Sequence, residues 1–202
     1  MSGTSAAISA ITVKDSNNNS YTQSPNSPST FLSGSGQVWL FYLVAPSNAT
    51  NSITVSWTGT GGGIWIDDFT VSGGSAVFDA DLGGETAVGT TPVNTPSLTP
   101  AGTGELLYSG MTAGGSLTAP AAGATLGNWT GATGGLQLNN GAEYDLSSVS
   151  GANPVDYTQS GGPGWSGMVM AFKLSSGAPS VAVDFCPGAG GMAIPQPVSV
   201  AW

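Results

Sequence analysis

Short apolar runs separated by clusters of Gly, Ser, Asn and Pro recur along the whole chain, which is the punctuation of an all-β protein. Ser52 to Gly59 alternates cleanly: Ile53, Val55 and Trp57 fall on one face and Thr54, Ser56 and Thr58 on the other, as in a half-exposed strand. Gln37 to Ala45 (QVWLFYLVA) is instead apolar on both faces and predicts a central strand covered on either side. The short polar loop Asn48 to Asn51 between these two runs predicts that they pair as an antiparallel hairpin.

Ile8 to Val13 opens the series and leads through Lys14 into the turn Asp15-Ser16-Asn17-Asn18-Asn19, ahead of Tyr21-Thr22. Gly63 to Val71 (GIWIDDFTV) loses its alternation at Asp67-Asp68, which predicts a bulge or a strand end at the rim of a sheet. Ala76 to Leu82 reads as the next strand. Gly83 to Gly104, with Pro92, Pro96 and Pro100, reads as a long surface connection before a strand resumes at Glu105 to Tyr108. Ser116 to Ala119 is a short strand in a region dominated by Gly, Ala and Thr. Leu136–Leu138 and Ala142–Leu146 predict a hairpin across Asn139-Asn140-Gly141, because Asn-Gly supplies the positive φ values of a tight turn. Val155–Gln159 and Gly167–Leu174 predict another, with Met168, Met170, Phe172 and Leu174 on one core face. Val181, Val183 and Phe185 alternate as one more strand before the irregular stretch Pro187 to Pro197 and the final Val198 to Trp202.

The expected architecture is an antiparallel β-sandwich, jelly-roll or concanavalin-like. It spans residues 1–176, and a Pro/Gly-rich strand and extension at 177–202 either folds back onto its own sheet or contacts a neighbouring subunit. Helices are not expected, since two lysines cannot supply the oppositely charged pairs, four residues apart, that support surface helices.

Composition sharpens this picture. The 202 residues include 32 Gly and 13 Pro, yet 40% are hydrophobic and 6 are Trp, so the glycines belong to turns between packed elements and not to a disordered chain. Only 6% of residues are charged, against about 25% in an average soluble domain. Lys14 and Lys173 are the only cations, Arg and His are missing, and 11 acids bring the net charge to −9. Imidazole catalysis and His-built metal sites are thereby excluded. Binding to nucleic acid or to an anionic membrane surface is excluded too, because two lysines cannot neutralise several phosphates. Cys186 is the single cysteine, so no intramolecular disulfide can form, and it reads as a small buried hydrophobe. Met1-Ser2-Gly3-Thr4-Ser5 lacks the basic and apolar regions of a signal peptide, and no segment reaches the roughly 18 apolar residues of a membrane span. Synthesis as a soluble cytoplasmic chain is the expectation.

Four stretches carry a resemblance. They are Ile11-Thr12-Val13-Lys14-Asp15-Ser16-Asn17-Asn18-Asn19-Ser20-Tyr21-Thr22, Ser52-Ile53-Thr54-Val55-Ser56-Trp57, Glu105-Leu106-Leu107-Tyr108, and Gly164-Trp165-Ser166-Gly167-Met168-Val169-Met170-Ala171-Phe172-Lys173. Together they resemble a diffuse group of β-sandwich modules in bacteriophage structural proteins and in surface proteins of environmental bacteria. Those modules open with a V-x-D-x-x-G-N-x-Y turn, continue with an alternating Thr/Val strand and close on a strand that begins near a Trp and ends A-F-K. The likeness covers residues 8–174. Asn18 stands where Gly is usual, and residues 177–202 fall outside the pattern.

Three constellations bear on chemistry. Asp67, Asp68, Asp79, Asp81 and Glu85 lie within 19 residues, a density of hard oxygen ligands that can hold Ca²⁺ without matching an EF-hand, although a solvated acidic rim accounts for it as well. Asp79/Asp81 and Glu143/Asp145 are i, i+2 pairs, which on regular strands puts both carboxylates on one face about 7 Å apart. Inverting glycosidases place their two carboxyl groups about 6.5–9.5 Å apart, so the spacing is admissible. Ser147 nevertheless stands where concanavalin-like glycosidases often carry a third acid, and no Arg or His is present to bind substrate. Trp129 and Trp165 are expected in Gly-rich loops, where an indole either caps the core or stacks on a sugar ring.

A surface of Ser, Thr, Asn, Gly and short apolar residues has little side-chain entropy to lose and little charge to desolvate, which suits it to packing against other subunits. With the resemblance, this implies a non-enzymatic virion structural protein on a bacteriophage particle surface, either a capsid decoration or a head or tail fibre component. Its partners would be capsid or tail proteins and its own copies in a homo-oligomer. The alternative is a carbohydrate-binding or adhesion module of a bacterial surface protein, extracellular or on the cell surface, with a glycan as ligand.

Overall fold

The computed structural model describes residues 8–31, 36–44, 52–59, 64, 66–71, 74–86, 93–94, 98–102, 104–114, 116–118, 139–145, 156–160, 164–176, 181–185 and 198–199. Every helix or strand element among them is a strand. In chain order they are β1 (Ser9–Asp15), β2 (Thr22–Gln23), β3 (Ser29–Phe31), β4 (Gly36–Val38), β5 (Phe41–Val44), β6 (Ile53–Thr58), β7 (Asp67–Val71) and β8 (Gly74–Thr86). They continue as β9 (Val93–Asn94), β10 (Leu106–Ala113), β11 (Ser116–Thr118), β12 (Asn139–Asp145), β13 (Asp156–Ser160), β14 (Trp165–Ser176), β15 (Val181–Phe185) and β16 (Val198–Ser199).

A four-stranded antiparallel sheet, ordered β12-β10-β14-β8, forms the centre. Its inner strands are buried on both faces, since alternate residues of each enter different clusters. Leu106 and Tyr108 of β10 join Met168, Met170 and Phe172 of β14 on one face, while Leu107, Met111 and Ala113 join Trp165, Val169 and Ala171 on the other. Phe69 of β7 and Tyr42 and Val44 of β5 complete the first cluster. These come from a five-stranded sheet ordered β16-β7-β15-β5-β2, in which only the β16–β7 pairing is parallel among the described strands. Aromatic rings dominate the contact: Tyr42 stacks on Phe78 at 5.0 Å between centroids and meets Phe172 edge-on at 5.2 Å. The opposite residues of β5, Phe41 and Leu43, face a third cluster with Val13, Ile53 and Val55 of the two-stranded sheet β1–β6.

The double-sided burial expected for Gln37 to Ala45 therefore holds over β5, but the run is not one strand. Trp39 and Leu40 separate β4, which pairs with β3, from β5, which pairs with β2 and β15. None of the three expected hairpins is found among the described residues, which do not include 136–138. β6 pairs with β1, β12 runs straight through Asn139-Asn140-Gly141 along β10, and β13 pairs with β9 and β11. β14 lies between β10 and β8, in register from Trp165 opposite Thr86 to Ser176 opposite Gly74. Turn residues permit a reversal without choosing the partner, and burying β14 on both faces outweighs a short local hairpin. The expected surface connection from Gly83 begins later than foreseen, because β8 continues to Thr86 and Leu98 is buried in the second cluster. Asp67 does begin β7, as its place at a strand end predicted. The C-terminal strand β15 lies inside the five-stranded sheet.

The opening turn shows why its sequence works. The Asp15 carboxylate accepts the backbone N–H groups of Asn17 (2.9 Å) and Asn19 (2.8 Å) and the Asn19 side-chain amide (2.7 Å). Asn18 adopts φ 62°, the left-handed conformation, which Asn tolerates better than most residues. The Tyr21 N–H then returns to the Val13 carbonyl at 3.0 Å.

Candidate functional site

Three of the sequence-predicted acids, Asp79, Asp81 and Glu85, lie on β8, an edge strand of the four-stranded sheet. Regular alternation would place Asp79 and Asp81 on one face. A register shift intervenes, however: Ala80 is opposite Ala171 and Phe78 is opposite Phe172, so Asp79 is the extra residue of a bulge. Phe78 consequently packs against the first cluster and Ala80 against the second. The two carboxylates reach different neighbours, which corrects the expectation of a same-face pair.

Asp81 anchors the segment that leads into β3. Its carboxylate accepts the Ser24 hydroxyl, the Asn26 backbone N–H at 2.8 Å and the Asn26 side-chain amide at 2.8 Å. Ser29 continues the clamp by donating to the Gly84 carbonyl at 2.8 Å and accepting from Ser166 Oγ at 2.7 Å. The approach is close enough that a Cβ on Gly83 would lie 3.3 Å from the Ser29 Cβ.

On the other side of the bulge, Asp79 Oδ1 accepts Lys173 Nζ at 2.6 Å and Oδ2 accepts the Ala101 N–H at 2.7 Å. The next amide of that turn, Gly102 N–H, donates to Oε1 of Glu105 at 2.6 Å. One turn thus aims consecutive N–H groups at two carboxyl groups, and Gly104, at φ +71°, lets the chain enter β10 directly afterwards. Glu105 is 3% exposed. In the sequence Glu105 reads as the start of a strand, and Lys173 as a cation at the end of the A-F-K run. The usable signal was the Gly-rich turn Ala101-Gly102-Thr103-Gly104 immediately before an acid.

Burial pushes the Asp79 carboxyl up, but the Lys173 hydrogen bond, the Ala101 N–H and the Lys173 charge outweigh it and hold the group below its ordinary value. Burial likewise opposes ionisation of Asp15, and the Asn19 and Asn17 hydrogen bonds overcome it, so this carboxyl too is lowered. Glu105 goes the other way: burial raises it and the nearby Asp79 charge adds, against the Gly102 hydrogen bond and Lys173. Lys173 is raised, first by its hydrogen bond to Asp79 and then by the charge of that group.

The signs give an acid limb to stability. Asp15, and Asp79 as a free carboxylate, contribute fully above their ordinary value of 3.8, and lose that contribution as pH falls through their lowered folded-state values. Glu105, raised above its ordinary 4.5, contributes below that value and loses its contribution as pH rises through its folded value. Urea midpoints taken from neutral pH to below 3.8 are therefore expected to fall at the acid end, and Asp15→Asn should flatten part of the fall. A midpoint that stays level in that window, or an unchanged slope in Asp15→Asn, contradicts the assignment.

The remaining acids are placed by strand and register. Asp67 and Asp68 belong to β7 of the five-stranded sheet, where Asp68 is in register with Asp184. Glu85 is in register with Ser166, and Glu143 and Asp145 with Ser109 and Leu107. Among the described residues no group of three or more His, Cys, Asp or Glu is placed to hold a metal ion. Trp165 is 8% exposed at the start of β14, packed in the second cluster with its Nε1 hydrogen unpartnered. Trp129 and Cys186 lie outside the described residues. No helix among the described residues is long and apolar enough to cross a membrane. No protein-family model, curated protein or solved structure matches the chain.

Proposed function

We propose that this chain is a β-sandwich structural protein on the surface of a bacteriophage particle, a capsid decoration or a head or tail fibre component, acting by subunit packing and not by catalysis. The sandwich reading is supported by the aromatic cluster shared between the four-stranded and five-stranded sheets.

The observation that carries the functional reading is the use made of the scarce charges. Asp15, Asp79 and Asp81 each hold a loop of their own chain, and Lys173 pairs with Asp79. These charges are engaged within the chain itself. Only 6% of residues are charged, and a surface made chiefly of Ser, Thr, Asn, Gly and apolar residues suits burial against capsid or tail proteins and further copies of the chain. The test is quantitative mass spectrometry of washed, intact particles from the producing culture. The protein is expected at a copy number comparable to that of another symmetric shell or tail component, and its absence from such particles overturns the reading.

One observation favours a carbohydrate-binding or adhesion module as the second reading. Trp57 is 36% exposed on β6, beside the exposed Ser56 and Thr58, and an indole so placed offers a face to a sugar ring. Binding on a glycan array that is lost in Trp57→Ala would select it over pure subunit packing.

A further inference from the structure

Lys173 sits on β14, Asp79 on the adjacent β8, and Glu105 immediately before β10, the neighbour of β14 on its other side. Leu106 is in register with Phe172, so Glu105 enters the sheet beside Lys173. We propose that Lys173 and Asp79 close an intramolecular isopeptide bond, with the Glu105 carboxyl relaying the protons. This inference goes beyond the proposed function and holds whichever surface the protein meets.

The reacting atoms are already in place. Nζ lies 2.6 Å from Oδ1, while the Ala101 N–H holds Oδ2 at 2.7 Å, where it polarises the carboxyl group and steadies the oxyanion of an addition step. The Asp79 side chain is 6% exposed and Glu105 is 3% exposed, while the Lys173 side chain, at 45%, reaches them from the surface.

The step balances without an oxidant or a co-reactant. The ammonium passes one proton through Glu105 to the Asp79 carboxylate, leaving an amine facing a carboxylic acid. The nitrogen lone pair attacks Cγ and forms the C–N bond. A second nitrogen proton then travels by the same carboxyl to the hydroxyl, the C–O bond breaks, and water leaves. Ammonium and carboxylate become an amide and one water, and Glu105 returns to its starting state. The ion pair favours the charged forms of both partners, so the first proton transfer is uphill, and an adjacent carboxyl whose ionisation is opposed by burial is the group suited to relay it. The product would join residues 94 apart in the chain and fix the edge strand β8 to β14, in a protein whose single cysteine cannot make an intramolecular disulfide.

Intact-mass measurement of the full chain tests this. The expected mass is about 18 Da below the sequence mass, the loss of one water, with a chymotryptic peptide pair joined between Asp79 and Lys173. Lys173→Arg keeps the ion pair but cannot make this amide, and is expected at its own full mass. Glu105→Gln, which keeps the side-chain shape, should lose most of the deficit. A wild-type chain at full sequence mass, an ion pair only, overturns the proposal, as does a deficit that persists in Lys173→Arg. A complete deficit in Glu105→Gln overturns the relay.

Discussion

Phe172→Ala is expected to destabilise the protein by about 3–5 kcal/mol, the range for removing a large buried aromatic side chain. Phe172 is 2% exposed on β14 and meets Tyr42 of the five-stranded sheet at 5.2 Å and Phe78 of β8 at 5.7 Å, both edge-on. It therefore touches both sheets at the register shift where β8 bulges. Alanine would leave a void that neither neighbour can fill, because Tyr42 and Phe78 are already stacked on each other at 5.0 Å. The measurement is the urea midpoint with its slope: a lower midpoint at unchanged slope is expected. A loss below about 1 kcal/mol, the scale of a surface substitution, would mean that the first cluster is not the joint between the sheets.

Asp81→Ala is expected to cost about 2–3 kcal/mol, for a different reason. The carboxylate is the common acceptor for Ser24 and for both donors of Asn26, so its removal leaves the Ser24 hydroxyl and the Asn26 N–H without this partner, leaves the Asn26 amide only the Asp81 carbonyl at 3.1 Å, and loosens the segment that carries Ser29. Because the site is partly exposed, water rescues some of the loss, which keeps the effect below that of Phe172→Ala. Asp81→Asn should fall between, since the amide oxygen still accepts one donor while its NH₂ group faces the others. Hydrogen exchange localises the effect: protection of the Asn26 amide should drop far more than that of β10. Equal loss at both places would mean global unfolding and not release of a clamp.

Much of the local structure was legible in the sequence. The turn from Asp15 to Asn19 is a contiguous set of side-chain acceptors and backbone donors, and the left-handed Asn18 is the residue type that tolerates that conformation. Alternation in Ser52 to Gly59 and the double-sided run at β5 report which faces are covered, because side-chain direction follows from the pleat alone. The candidate site was less accessible. Asp79 and Asp81 look equivalent at i and i+2 until the bulge inserts one residue between their registers, and the bulge is created by the pairing of β8 with a strand some ninety residues later. Glu105 acquires its meaning only when Lys173 and Asp79 arrive beside it from other parts of the chain.

By itself, then, the sequence determined that the described elements are strands and that charged residues are few, since turn chemistry, alternation and composition are properties of neighbouring residues. Tertiary structure alone decided the partners: β6 beside β1, β14 between β10 and β8, and Asp79, Lys173 and Glu105 in one place. The reason is physical. The described apolar clusters join strands far apart in the chain, and many pairings satisfy the same alternation. The one chosen is the one that covers β10 and β14 on both faces at once.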